Sequence, residues 1–285
     1  MSARFAMEEA RVSGEDWITI DERFCGPPRS GNGGYVCGLL AARVAGPVAV
    51  RLKQPPPIAH PLRVETDANG ARLLDGDRLI AEARPRRSLD VSPPPAPGLA
   101  EASRAAGRFA GFADHNFPTC FVCGPERAPG DGLRIFPGPL RAIGSDPISD
   151  GGGTGRAPND RAAGGAVGPE AGSDDRPMLA AVWTPDSSLA DPDGRVRPEF
   201  VWAALDCPGA FVRYPLPPET AIVLGELAVD QTADVRSEAP SIVTAWSLGE
   251  EGRKRRSGTA IFDATGRLCA QADAIWIEVP AEVWR

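Results

Sequence analysis

Leu74-Asp75-Gly76-Asp77-Arg78-Leu79-Ile80-Ala81-Glu82-Ala83 returns late in the chain as Phe262-Asp263-Ala264-Thr265-Gly266-Arg267-Leu268-Cys269-Ala270-Gln271-Ala272, with one turn residue inserted. Asp and Gly suit a tight turn between two strands, and the Arg-Leu-x-Ala-Glu/Gln-Ala strand beyond the turn is shared. Working outward from each copy gives the same order of elements. Upstream of the first, Trp17 to Phe24 alternates as a strand, Gly33 to Val44 is a small-residue apolar helix, and Val48 to Leu52, Leu62 to Thr66, Arg72 to Leu74 and Leu79 to Ala83 are short strands. Upstream of the second, Leu179 to Trp183 is a strand and Pro198 to Val212 a helix. Ala221 to Val229, Ser241 to Leu248, Thr259 to Phe262 and Leu268 to Ile277 then follow as strands. The spacing predicts a duplicated strand, helix and meander.

The breaks fall between the copies. Pro85, Pro93, Pro94, Pro95 and Pro97 mark a semi-rigid linker, and residues 92–116 are assigned to the connection between units 1–91 and 117–285. From Arg141 to Pro177 the chain is Gly, Asp, Ala and Pro with almost no large apolar residue, which predicts a disordered insertion. A helix apolar on nearly every side (Tyr35, Val36, Leu39, Leu40, Val44) must be enclosed, so the expected class is α+β, with two antiparallel sheets each wrapped around a central helix and paired edge to edge within the chain.

Composition narrows the function. The 285 residues are 42% hydrophobic and 24% charged, as in globular proteins, and the net charge of -7 leaves no general basic field for nucleic acid. The one basic run, Arg253 to Arg256, is flanked by Glu250 and Glu251 and reads as a solvated hairpin end. No apolar stretch has the length of a membrane span and no signal-peptide segment opens the chain, so the expectation is a cytoplasmic protein. Only His60 and His115 are available for histidine chemistry. A dehydratase-type Asp-His pair has no counterpart around either of them. No glycine-rich nucleotide motif is present.

Six cysteines without a secretory signal do not make a disulfide framework, and Cys37, Cys207 and Cys269 read as small core residues. Cys120 and Cys123 with His115 form H-x4-C-x2-C, a partial zinc set that lacks a fourth ligand nearby. The expectation is therefore a thiol pair, with no metal and no cofactor. Turn residues Pro118, Gly124 and Pro125 around the pair disfavour thioredoxin-like chemistry.

The segment Cys120-Phe121-Val122-Cys123-Gly124-Pro125, followed by Gly132-Leu133-Arg134-Ile135-Phe136, resembles the CxxCG and GL opening of phenylacetate-pathway-type (PaaI-like) acyl-CoA thioesterases. The resemblance spans roughly residues 117–277 without the insertion, and it implies a hotdog fold, here duplicated as a double hotdog. In that family a helix begins His-Gly-Gly and carries an Asp nine residues after the His. Here Arg197-Pro198-Glu199 takes the His-Gly-Gly place and Asp206 falls at the Asp. In the first half Asn32-Gly33-Gly34 takes the His-Gly-Gly place and Ala41 falls at the Asp.

Each helix thus keeps what the other lost, which implies one composite site between the units, with the duplicate site inactive. Glycines at a helix start leave amides unobstructed at the positive end of the dipole, whereas Pro198 has none to offer. Asp206, inside an apolar helix, is costly to bury without a purpose. The expected catalytic set is Asp206, Asn32, Gly33 and Gly34. Tyr35, Arg197 and Glu199 are the substrate-binding candidates, Arg197 through a CoA phosphate. The implied activity is acyl-CoA thioester hydrolysis in lipid metabolism, with acyl-CoA as partner, no nucleic acid or membrane, and a homodimer of double hotdogs as the assembly. The rival is a non-catalytic acyl-CoA or lipid-binding protein, and Asp206 separates the two because a binder has no need of a buried carboxylate.

Overall fold

The computed structural model describes residues 16–141 and 178–284, so nearly all of the expected insertion at 141–177 lies outside the described residues. The first half runs β1 (Asp16–Thr19), α1 (Gly33–Ala41), β2 (Val48–Leu52), β3 (Pro61–Asp67), β4 (Gly70–Asp75) and β5 (Arg78–Pro85). Helix α2 (Leu99–Ala106) and the short strand β6 (Gly138–Pro139) follow. The second half runs β7 (Leu179–Trp183), α3 (Pro198–Ala204), α4 (Pro208–Phe211), β8 (Thr220–Gln231), β9 (Ser241–Glu251), β10 (Lys254–Asp263) and β11 (Leu268–Pro280).

The strands form one eleven-stranded antiparallel sheet, β1-β3-β4-β5-β2-β8-β11-β10-β9-β7-β6. Within it the first half is ordered β1-β3-β4-β5-β2. The second half, read from its far side, is β7-β9-β10-β11-β8, the same permutation of first, third, fourth, fifth and second strand. Duplication is therefore visible in the topology and not only in the turn residues.

The two expected sheets pair edge to edge, as the sequence reading had it, and by doing so merge into a single continuous one. Strand β2 would leave a row of unpaired backbone groups at the edge of the first half, and β8 would do so at the edge of the second. They pair with each other at Ala49–Ala228, Val50–Leu227 and Arg51–Glu226, and Arg51 Nε donates to Glu226 Oε2 at 2.8 Å across the seam. Only three residue pairs span it, so the helices beneath carry much of the union of the halves.

Those helices meet on the inner face. Helix α1 lies against β2, β4, β5, β8 and α3, with Val36, Cys37 and Leu40 fully buried. The opposite face of the second half is covered by α2, whose Ala102 and Ala105 pack on Ala180, Ile242, Ala260 and Phe262. Three local readings change. The first strand ends at Thr19 and a 3-10 turn at Glu22–Phe24 follows, with the Asp21 carboxylate capping the Arg23 amide at 2.8 Å. The helix expected over Pro198 to Val212 is two helices: Pro208 has no N–H for the carbonyl four residues back, and the chain bends over Leu205 to Cys207. The basic run is not simply a solvated end, since Arg255 and Arg256 lie within β10 and pair with Glu278 (2.9 Å) and Asp273 (3.0 Å).

Candidate active site

The bend between α3 and α4 is what places Asp206. Its neighbour Leu205 presents a carbonyl that accepts from Thr259 Oγ1 of β10 at 2.7 Å, so a buried hydroxyl fixes the bend to the sheet. Asp206 then reaches the start of α1, although 172 residues separate it from Gly34. The Gly34 amide donates to Asp206 Oδ2 at 2.8 Å, and Asn32 Nδ2 donates to the same oxygen at 3.0 Å. Asn32 also caps α1, because its Oδ1 accepts from the Tyr35 amide at 2.9 Å. One side-chain amide therefore holds both the helix start and the carboxylate.

Close approach of α1 and α3 is a requirement of this pairing. A methyl group at Gly34 would lie 2.4 Å from Asp206 Cβ and 2.7 Å from the Trp202 carbonyl oxygen, and one at Gly38 would lie 2.6 Å from Glu199 Cα. Glycine at both positions is a matter of space. Gly33 is crowded as well, by Leu224 Cδ2 at 2.9 Å, but it also lines the neighbouring cavity, and among the described residues its amide has no acceptor.

Asp206 is 2% exposed and its Oδ1 has no partner among the described residues. Burial pushes its pKa up to about 7; the Gly34 amide pulls down, Cys120 pushes up and Asn32 pulls down. The carboxylate is thus gripped through one oxygen, and the other is left to a ligand or water.

Asp206, Asn32 and Gly33 line a cavity of about 260 Å³. Its wall is largely apolar and aromatic, with Phe117, Phe211, Tyr214, Leu224, Trp276 and Trp284 around it. Tyr214 is held in place by its hydroxyl, which donates to Asn116 Oδ1 at 2.7 Å. Cys120, Cys123 and Cys207 sit in the wall beside Asp206. This combination of an enclosing apolar surface with a few convergent polar groups is the usual form of a small-molecule site.

The remaining sequence candidates lie elsewhere. Tyr35, Arg197 and Glu199 do not line the cavity. The Tyr35 ring is 4.3 Å from that of Phe24 and 5.6 Å from that of Phe200. Arg197 lies over Phe200 at 4.8 Å, and its Nε donates to Glu199 Oε1 at 3.0 Å. The three cluster around Phe200, outside the cavity lining. Sequence reasoning missed Thr259, whose only signal is a hydroxyl in an apolar strand. It also missed Cys207 as part of a group, although it stands next to Asp206.

No protein-family model matches the chain, and no curated protein matches it. Solved structures do. The tesB protein of Mycobacterium avium subs paratuberculosis superposes with a TM-score of 0.54 at 13% identity, over 93% of each chain. A conserved protein of unknown function with hot dog fold from Alicyclobacillus acidocaldarius gives a TM-score of 0.51 at 11% identity, again over 93% of each chain. The fold is a hotdog. At such identities the likeness is one of architecture, and it bears out the hotdog reading of the sequence at that level, with the two halves sharing one sheet. Among the described residues no helix is long and apolar enough to cross a membrane.

Proposed function

We propose that the protein hydrolyses an acyl thioester, with Asp206 as the catalytic carboxylate, the Gly33 amide as donor to the thioester carbonyl and Asn32 as the residue that positions Asp206. The observation that carries this reading is the state of Asp206: one carboxylate oxygen is fixed by the Gly34 and Asn32 donors, and the other has no partner at a cavity wall. A carboxylate buried in this way costs several kcal/mol unless its charge is used or paired. Thioester hydrolysis uses it, either to deprotonate the attacking water or to attack the carbonyl carbon directly.

The roles differ from a plain reading of the glycine pair as an oxyanion hole. The Gly34 amide is occupied by Asp206, so the donor available at the positive end of α1 is Gly33. Asn32 has both of its polar atoms engaged by protein, which makes it a positioning residue rather than one that orients substrate. The apolar wall suits an acyl group.

The test is thiol release from short, long and aromatic acyl-CoAs by wild type and by Asp206→Asn. The reading expects turnover by wild type on at least one of these and a loss of about 10²–10⁴-fold in kcat for the variant with binding retained. Saturable acyl-CoA binding without turnover by wild type would instead make this a binding protein.

A further inference from the structure

Three sulfurs share the cavity wall beside Asp206. Cys120 and Cys123 come from the loop after Phe117, and Cys207 comes from the bend between α3 and α4. All three are buried, and their sulfur atoms lie within 4.8 Å of one another. We propose that Cys120, Cys123 and Cys207 are the ligands of a thiophilic divalent cation, zinc by the chemistry of the donor set, with a fourth coordination position open to the cavity.

The distances fit an ion better than a bond. Tetrahedral zinc with Zn–S bonds of about 2.3 Å sets its sulfurs about 3.8 Å apart. Cys120 Sγ and Cys207 Sγ are 3.6 Å apart, and the remaining spacings need to close by no more than about 1 Å to reach that tetrahedral edge. A disulfide would require about 2.0 Å. The loop is also shaped to hold a thiolate. The Gly124 amide closes a turn onto the Cys120 carbonyl at 2.9 Å, and the amides of Val122 and Cys123 point at the Cys120 sulfur. A side chain at Gly124 would meet the carbonyl oxygens of Cys120 and Pro118 at 2.5 Å each, so the turn admits only glycine.

Asn32 Nδ2 adds a donor 3.6 Å from Cys207 Sγ and 3.9 Å from Cys120 Sγ. Amide donors directed at thiolates are the outer partners that a thiolate metal centre uses.

The missing ligand explains why spacing alone could not reveal the set. Cys207 is 87 residues from Cys120, and only the bend at Pro208 brings it there. His115, the fourth candidate from the sequence, is a different kind of neighbour. Its Nδ1 accepts from the Phe117 amide at 3.0 Å, so the neutral ring carries its proton on Nε2 and offers a hydrogen bond, not a lone pair. This leaves three protein ligands, the number at which a zinc site keeps a place for water or another small ligand. The inference departs from the metal-free reading of the sequence.

The experiment uses the full chain, untagged and reduced. Zinc content is measured by elemental mass spectrometry, and cobalt is then titrated into metal-free protein while the near-ultraviolet thiolate-to-cobalt band and the visible tetrahedral bands are followed. Wild type and the control Cys269→Ser are expected to bind about one ion per chain with both sets of bands, and zinc is expected to protect three thiols from a thiol reagent. Cys207→Ser and Cys123→Ser should weaken zinc by more than the roughly 10–100-fold that loss of an outer partner costs. Wild type that takes up no metal and develops no thiolate band overturns the proposal whatever the variants do. So does a Cys207→Ser variant that keeps the full cobalt spectrum. None of these readouts depends on thioester hydrolysis, so the two readings stand or fall separately.

Discussion

Gly34→Ala sets two physical effects against each other at the centre of the molecule. Helix propensity favours the change, since alanine in place of a helical glycine contributes up to about 1 kcal/mol. Space opposes it. The added methyl would lie 2.4 Å from Asp206 Cβ, 2.7 Å from the Trp202 carbonyl oxygen and 3.0 Å from Ala203 Cα. Two of these are backbone atoms of the α3 segment, so no rotamer change relieves the contact and the helices must separate. Overpacking of this kind costs about 1–3 kcal/mol, and backbone obstruction puts it near the upper figure. The net expectation is a loss of about 2 kcal/mol, the difference of roughly 3 and 1. At roughly 2–4 °C per kcal/mol for a chain of this class, thermal unfolding should shift down by about 4–8 °C.

The same displacement removes Asp206 Oδ2 from the Gly34 amide, so hydrolysis should fall further than stability alone explains. Gly38→Ala is the control: its methyl would meet Glu199 Cα at 2.6 Å, straining the same helix contact away from Asp206. It is expected to lower the melting temperature similarly and to spare more of kcat. A Gly34→Ala protein with unchanged or raised melting temperature would refute the close-contact argument, and equal kcat losses in both variants would refute the assignment of the site to one end.

Other outcomes follow from the same geometry. Asn32→Ala should lose the α1 cap, worth about 0.5–2 kcal/mol, and lower kcat with little change in KM, because it removes a donor from Asp206 and not from substrate. Thr259→Val leaves the buried Leu205 carbonyl without its donor, at about 1–3 kcal/mol, and should reduce kcat; Thr259→Ser, which keeps the hydroxyl, should restore it, and a failure to do so would mean that the hydrogen bond does not set the bend. Arg197→Ala and Glu199→Ala should leave kcat within about twofold, since a partly exposed ion pair of this kind is worth about 0–1 kcal/mol; a dead Glu199→Ala would move the site to the other end of the helices.

The fold was legible in the sequence wherever a periodic pattern had only one satisfactory burial. Val48–Leu52 and Leu179–Trp183 match their strands residue for residue, and the apolar stretch after Asn32 is a buried helix because no side of it can face water. The Asn32–Asp206 contact across 174 residues followed from the complementary losses in two copies of one motif, a constraint that composition does not carry. What stayed hidden depends on partners remote in the chain. Nothing local in Val48–Leu52 shows that its free edge meets β8, and nothing local to Cys207 says that its neighbours are Cys120 and Cys123. The break at Pro208 was readable in principle, since an interior proline removes a helix hydrogen bond, yet its consequence, a bend that carries Asp206, requires Thr259 from another strand.

The two ends of the α1–α3 contact differ in what they could offer a ligand. At one end a glycine amide and an asparagine face an aspartate, and beyond them lies a cavity. At the other, the place of the aspartate is taken by Ala41 and that of the helix-start amide by Pro198, which has no N–H. Beside the helix pair and outside the cavity lining pack the rings of Phe24, Tyr35, Phe121 and Phe200, whose centroids lie 4.3–6.3 Å apart, with Arg197 over Phe200. Such aromatic contacts contribute about 0.5–1.5 kcal/mol per pair beyond area burial. An end with neither a carboxylate nor a helix-start amide has no buried charge to compensate and no donor to offer a ligand. The remaining end keeps the opposite set of compromises: a buried carboxylate, an unpartnered oxygen and a gap in the packing. Asymmetry between the halves thus confines the cost of a buried carboxylate with an unpartnered oxygen to one end of the helix pair.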